Sequence, residues 1–114
     1  MQTNIIVTLQ YEATHCWPSC DLEEVEFLKY SHRHVFFITL KKQVMHDDRD
    51  IEIILFKRSV LEWLHRTYGG KLGSMSCEQL AKILCKQFNC CYASVKEDNE
   101  CGAEVIQYTL HKEQ

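Results

Sequence analysis

Apolar and polar positions change period along the chain, and the changes predict its elements. From Asn4 to Tyr11 the residues are β-branched and partly alternating, as in a strand. Between Glu12 and Lys29, Trp17-Pro18 and an acidic run break the pattern, so a loop is expected. Strand character returns from Tyr30 to about Met45, with His34, Phe36 and Ile38 on one face and Val35, Phe37 and Thr39 on the other. Bulk on both faces is what a doubly covered strand carries. His46-Asp47-Asp48-Arg49-Asp50 reads as a polar turn.

The period then becomes helical. Ile53, Phe56, Val60, Leu61 and Leu64 form one stripe of a helix over about 51–68, which Gly69-Gly70 ends. A second helix starts near Ser76, where Ser76 and Gln79 fit a capping box and Leu80, Ile83, Leu84 and Phe88 face inward. Two more strands are expected over 91–96 and 103–111. Two helices set between two strand pairs predict an α+β domain, its helices covering one face of a mainly antiparallel sheet.

Composition narrows the class. A chain of 114 residues fits one domain, 1–114, and 46% hydrophobic residues suffice for a core. Thirteen Lys+Arg against sixteen Asp+Glu give a net charge of −3, so neither nucleic acid nor a membrane surface is an expected partner. No apolar run approaches the ~20 residues of a membrane span, and the first residues do not resemble a secretory leader. Seven cysteines, an odd count without framework spacing, point to reduced thiols and a cytoplasmic setting. Cys77 and Cys85 on the second helix read as small packed residues.

Histidines carry the candidate chemistry. His32 and His34 are two apart on a strand and leave the same face. If the first two strands pair, His15 joins them at the same end of the sheet. Three neutral imidazoles with one position open is the ligand set of a catalytic zinc, whereas a bare His-x-His is also an ordinary polar strand end.

Tyr11-Glu12-Ala13-Thr14-His15 and Ser31-His32-Arg33-His34-Val35-Phe36 resemble the metal-binding signature of the 6-pyruvoyl-tetrahydropterin synthase and 6-carboxytetrahydropterin synthase family. Asp50 to Lys57 is similar to that family's acidic-led helix start, Ser76-Cys77-Glu78-Gln79-Leu80-Ala81 to its Thr-x-Glu-x-Leu-Ala, and Ser94-Val95-Lys96-Glu97 to its glutamate-ended strand. The resemblance implies a tunnelling fold: a four-stranded antiparallel sheet with two helices between strands 2 and 3, assembled as a homo-oligomer (trimer or hexamer) with sites between subunits. It implies Zn²⁺ on His15, His32 and His34, with Glu97 and Glu78 at a small heterocyclic ligand, pterin or purine-like. A carboxylate reading paired N–H donors suits Glu97 to that task.

Family members also carry a general-base cysteine before the paired histidines and an Asp–His relay between the helices. Phe27, Leu28, Lys29 and Tyr30 occupy the first place here, and His65 is the only imidazole between Leu64 and Ser76. Cys16, Cys20 and His65 are therefore the candidate substitute bases. Arg33 replaces a glycine and is expected to point away from the metal face. Two expectations follow: a zinc-dependent, lyase-like enzyme acting on a dihydroneopterin triphosphate-type substrate, or a non-catalytic module that sequesters a pterin, purine or nucleotide-like ligand.

Overall fold

The computed structural model describes residues 1–108. Its elements are β1 (Thr3–His15), a 3₁₀ segment (Glu23–Lys29), β2 (His32–Val44), α1 (Ile53–Tyr68), β3 (Lys71–Gly73), α2 (Cys77–Gln87), β4 (Tyr92–Glu97) and β5 (Cys101–Ile106). The sheet runs β3-β1-β2-β4-β5. All its pairings are antiparallel except the short β3, which lies parallel to β1. This is an α+β domain of tunnelling-fold-like topology, with both helices inserted between the long hairpin and the β4–β5 hairpin. The sheet has one strand more than the four expected. β3 escapes a sequence reading because its three residues carry a single apolar side chain, Leu72, and its partner lies nearly sixty residues away.

Both helices pack on one face. Val7, Leu9, Tyr11 and Ala13 of β1, Phe36, Ile38 and Leu40 of β2, and Ala93 and Val95 of β4 are buried beneath Phe56, Val60 and Leu64 of α1 and Leu80, Ala81, Leu84 and Cys85 of α2. Among the described residues the opposite face carries no helix, and there Val35, Phe37 and Thr39 are only half-buried. The bulk on both faces of β2 thus marks one helix-covered side and one uncovered side.

Local signals set the helix ends. The Glu52 side chain accepts from the amides of Ile54 and Leu55 at 3.1 and 3.0 Å, capping α1. Gly69 closes that helix at φ 58°, a left-handed conformation suited to glycine. Ser76 and Gln79 form the capping box of α2. Ile53 departs from expectation: like Ile54 and Leu55 it is exposed, and burial begins at Phe56. Ile83 and Phe88 likewise sit at the margin of the core.

The loop expected from Glu12 begins only after His15. Tyr11, Ala13 and His15 continue the inward alternation while Glu12 and Thr14 face out, so β1 runs four residues further. At the other end β5 stops at Ile106; of the longer strand expected there, residues 109–111, including His111, lie outside the described residues. All seven cysteines carry free thiols. No helix among the described residues is long and apolar enough to cross a membrane.

Candidate metal centre

Register builds the site. In the long hairpin His15 lies opposite His32 and Ala13 opposite His34, so all three imidazoles emerge from the helix-covered face at one end of the sheet. Pairing of β2 with β4 sets Glu97 opposite Phe36, on that same face. The short parallel strand holds the end of β1 from its other side. Thr14 donates its amide to the Gly70 carbonyl at 2.9 Å, and Cys16 to the Gly73 carbonyl at 2.8 Å, across a register shift next to His15. The buried Tyr11 hydroxyl donates to the Leu64 carbonyl at 3.2 Å and accepts from the Gly70 amide at 2.7 Å, which ties the end of α1 to β1.

The ligating nitrogens of His15, His32 and His34 lie within 4.8 Å of one another. Ring centroids are 4.5 Å (His15–His32), 5.4 Å (His15–His34) and 5.0 Å (His32–His34) apart, each pair edge to face. Phe36 packs against both His15 and His34 from beneath.

Every Nδ1 has an acceptor. That of His15 meets the Met75 carbonyl at 3.1 Å, that of His32 the Tyr30 carbonyl at 2.7 Å, and that of His34 Oδ2 of Asp98 at 2.6 Å. These acceptors place the proton on Nδ1 and leave the Nε2 lone pair free, the second-layer arrangement of metal-bound histidine. All three Nε2 atoms are buried and make no hydrogen bond among the described residues. A buried polar atom left in that state costs about 1–3 kcal/mol, so three in one place are a large fraction of a domain's stability of roughly 5–15 kcal/mol. A cation among them removes that cost. The donor set therefore fits a metal ion, with His15, His32 and His34 holding it.

Asp98 was not legible in the sequence, where it reads as one polar residue in a turn. It sits at φ 55°, and its Oδ1 accepts from the Val35 amide at 3.1 Å. The His34 hydrogen bond, helped by the Val35 amide, holds its carboxyl below the usual carboxylate range. A charged Asp98 orients His34 and raises its basicity as a ligand.

The remaining candidates fall in different places. An open hollow of about 640 Å³ adjoins the histidines, within the size of small-molecule sites, and His15, His32, Cys16, Trp17, Cys77, Glu78, Glu97 and Cys101 help to line it. Cys16, Glu78 and Glu97 are thus brought to the site. Cys20 is not: its Sγ is turned to the carbonyls of Leu22 and Val25, beneath the 3₁₀ segment. His65 is also elsewhere, exposed on α1 with its ring against Tyr11.

Cys77, read from sequence as packing, is buried yet borders the hollow with its Sγ 3.8 Å from Oε2 of Glu97. Burial, reinforced by Glu97 and Glu78, pushes this thiol up to about 12. Arg33 pairs with Glu12 on the far face, away from the histidines. Lys42 donates to the Phe88 and Asn89 carbonyls after α2, and Lys41 lies over the Tyr92 ring.

No family model matches the chain and no curated protein matches it. What places it is its own geometry: a small α+β domain of tunnelling-fold-like topology carrying a three-histidine cluster able to coordinate a metal ion.

Proposed function

We propose that this protein is a zinc-binding relative of the 6-pyruvoyl-tetrahydropterin and 6-carboxytetrahydropterin synthases, acting on a dihydroneopterin triphosphate-type or related pterin in the hollow beside the histidines. The observation that carries the reading is the convergence of three Nε2 lone pairs, each set by an acceptor on its own Nδ1. Zinc, when bound, supplies a Lewis acid that polarises ligand oxygens and acidifies the adjacent C–H.

The chain's own residues then divide the work. Glu97 and Glu78 border the hollow from the end of β4 and the start of α2, where a carboxylate can accept paired N–H groups of a pterin or purine-type ring. Trp17 and Leu28 offer apolar surface to that ring. Of the candidate bases Cys16 alone borders the hollow, so it is the residue proposed to take a proton from the ligand.

The reading includes a homo-oligomer, trimer or hexamer, in a cytoplasmic setting. Its support is the sheet face that no helix of the described residues covers, where Ile6 and Ile106 are exposed, and a radius of gyration of 15.5 Å, against roughly 13 Å for a compact chain of this size.

A non-catalytic binding module is the second reading. The distance of Cys20 and His65 from the hollow favours it, because a missing proton-transfer group lowers a rate by about 10²–10⁴. The deciding experiment is purification without chelator, mass spectrometry of any small molecule that accompanies the protein, and assay of a dihydroneopterin triphosphate substrate with zinc. Metal-dependent product lost in Cys16→Ala supports the enzyme. Stoichiometric binding without product selects the module, and absence of any pterin or purine binding overturns both.

A further inference from the structure

Glu97 stands closer to the histidines than a ring-reading carboxylate requires. Its Oε2 lies 3.1 Å from Nε2 of His15, and its Oε1 3.5 Å from Nε2 of His34. Neither contact has hydrogen-bond geometry, for both Nε2 atoms lack a hydrogen-bond partner. Both protons sit on the opposite ring nitrogens, held by Met75 and Asp98. Oxygen lone pairs therefore face buried nitrogen lone pairs at close range, an arrangement that is repulsive unless a cation or an added proton lies between them.

The distances carry the same message. Two ligands bonded at about 2.0–2.1 Å and separated by the tetrahedral angle are about 3.3 Å apart. The two Glu97 contacts, 3.1 and 3.5 Å, straddle that value. Backbone register fixes the approach, since Glu97 sits opposite Phe36, whose ring underlies His15 and His34. The Cys77 thiol donates to Oε2 at 3.8 Å and steadies the carboxylate.

We propose that Glu97 is itself a ligand of the ion held by His15, His32 and His34, so that the resting centre has three imidazoles and one carboxylate. The proposal rests on the metal reading above and adds to it. Glu97 then has two alternative positions: turned inward it closes the centre, and turned toward the hollow it vacates a coordination position and meets the ring of an incoming ligand. One side chain thus couples ligand arrival to the opening of the metal centre.

The test uses Zn²⁺ affinity, measured by chelator competition, on wild type, Glu97→Gln and His32→Ala, with Co²⁺ absorption as a second readout. Loss of an outer partner of a metal ligand costs 10–100-fold in affinity, so loss of the carboxylate is expected to weaken Zn²⁺ about 100-fold and to change the Co²⁺ d–d bands. Without metal, Glu97→Gln is expected to melt no lower than wild type, because the amide relieves the facing lone pairs. Wild-type Zn²⁺ affinity and an unchanged Co²⁺ spectrum in Glu97→Gln overturn the proposal, as does a lower melting temperature of that variant without metal. Affinity lost in His32→Ala but kept in Glu97→Gln removes only the carboxylate, whereas affinity kept in both removes the histidine centre as well.

Discussion

Tyr11→Phe isolates the link between fold and site. The substitution keeps the buried ring and its edge contact with His65 but deletes a hydroxyl that bridges two backbone groups. Without it the Leu64 carbonyl loses a donor at 3.2 Å and the Gly70 amide an acceptor at 2.7 Å. A hydrogen bond contributes about 0.5–1.5 kcal/mol net, and a buried donor left unpaired costs up to about 3 kcal/mol. The sum is about 2–3 kcal/mol. For a domain of this length that lowers Tm by roughly 10 °C. Gly70 also accepts from the Thr14 amide, so the strand end beside His15 loosens as well. Zinc affinity is expected to fall, though by less than tenfold, because His15 keeps its own tether to Met75. Urea denaturation without metal and chelator competition with it measure the two effects. A Tyr11→Phe protein within 0.5 kcal/mol of wild type would refute the bridging role, since two hydrogen bonds, one buried and one part-buried, are lost together.

Three further outcomes are expected. Asp98→Asn replaces the acceptor on Nδ1 of His34 with a neutral amide and should weaken zinc 10–100-fold without unfolding the chain, as competition titration and circular dichroism will show. Gly102→Ala places a Cβ 1.9 Å from the Val95 carbonyl oxygen and 2.6 Å from Cα of Lys96, both backbone atoms, so β4 and β5 must part. Its urea midpoint should drop by the equivalent of about 3 kcal/mol or more. Burial, opposed by Lys42, raises the Cys90 thiol from 9.0 to about 12, so from pH 9 to 12 the unfolded chain releases a proton that the fold retains. Stability must therefore decline as pH rises through that interval, and Cys90→Ala should flatten the decline in urea midpoints taken across it.

Much of this architecture is legible because burial repeats with the period of each element. Phe36, Ile38 and Leu40 alternate on β2, and Phe56, Val60 and Leu64 recur at helical spacing on α1. The Ser76–Gln79 box is a local device and reads directly from two residues. Pattern fails where the cause is distant. β3 exists because the Gly70 and Gly73 carbonyls meet the amides of Thr14 and Cys16 at the end of β1, a pairing no local periodicity announces. Ile53 looks like the start of a buried stripe, yet it is exposed together with Ile54 and Leu55, and burial begins at Phe56.

The site divides in the same way. The three histidines show themselves through residue type and strand spacing. Their supports are backbone carbonyls of Met75 and Tyr30, which carry no residue signature, and a turn aspartate that only the β2–β4 register brings beside His34. Cys20 and His65 suit a base by type alone, and chain packing turns both away from the hollow.

The most direct test is the metal content of the protein purified without chelator, compared with His32→Ala and His34→Ala prepared in parallel. Three converging imidazoles predict about one zinc per wild-type chain and its loss in both variants. Metal retained in full by either variant, or a wild-type chain that takes up no zinc when it is supplied, would contradict the centre built here from His15, His32 and His34.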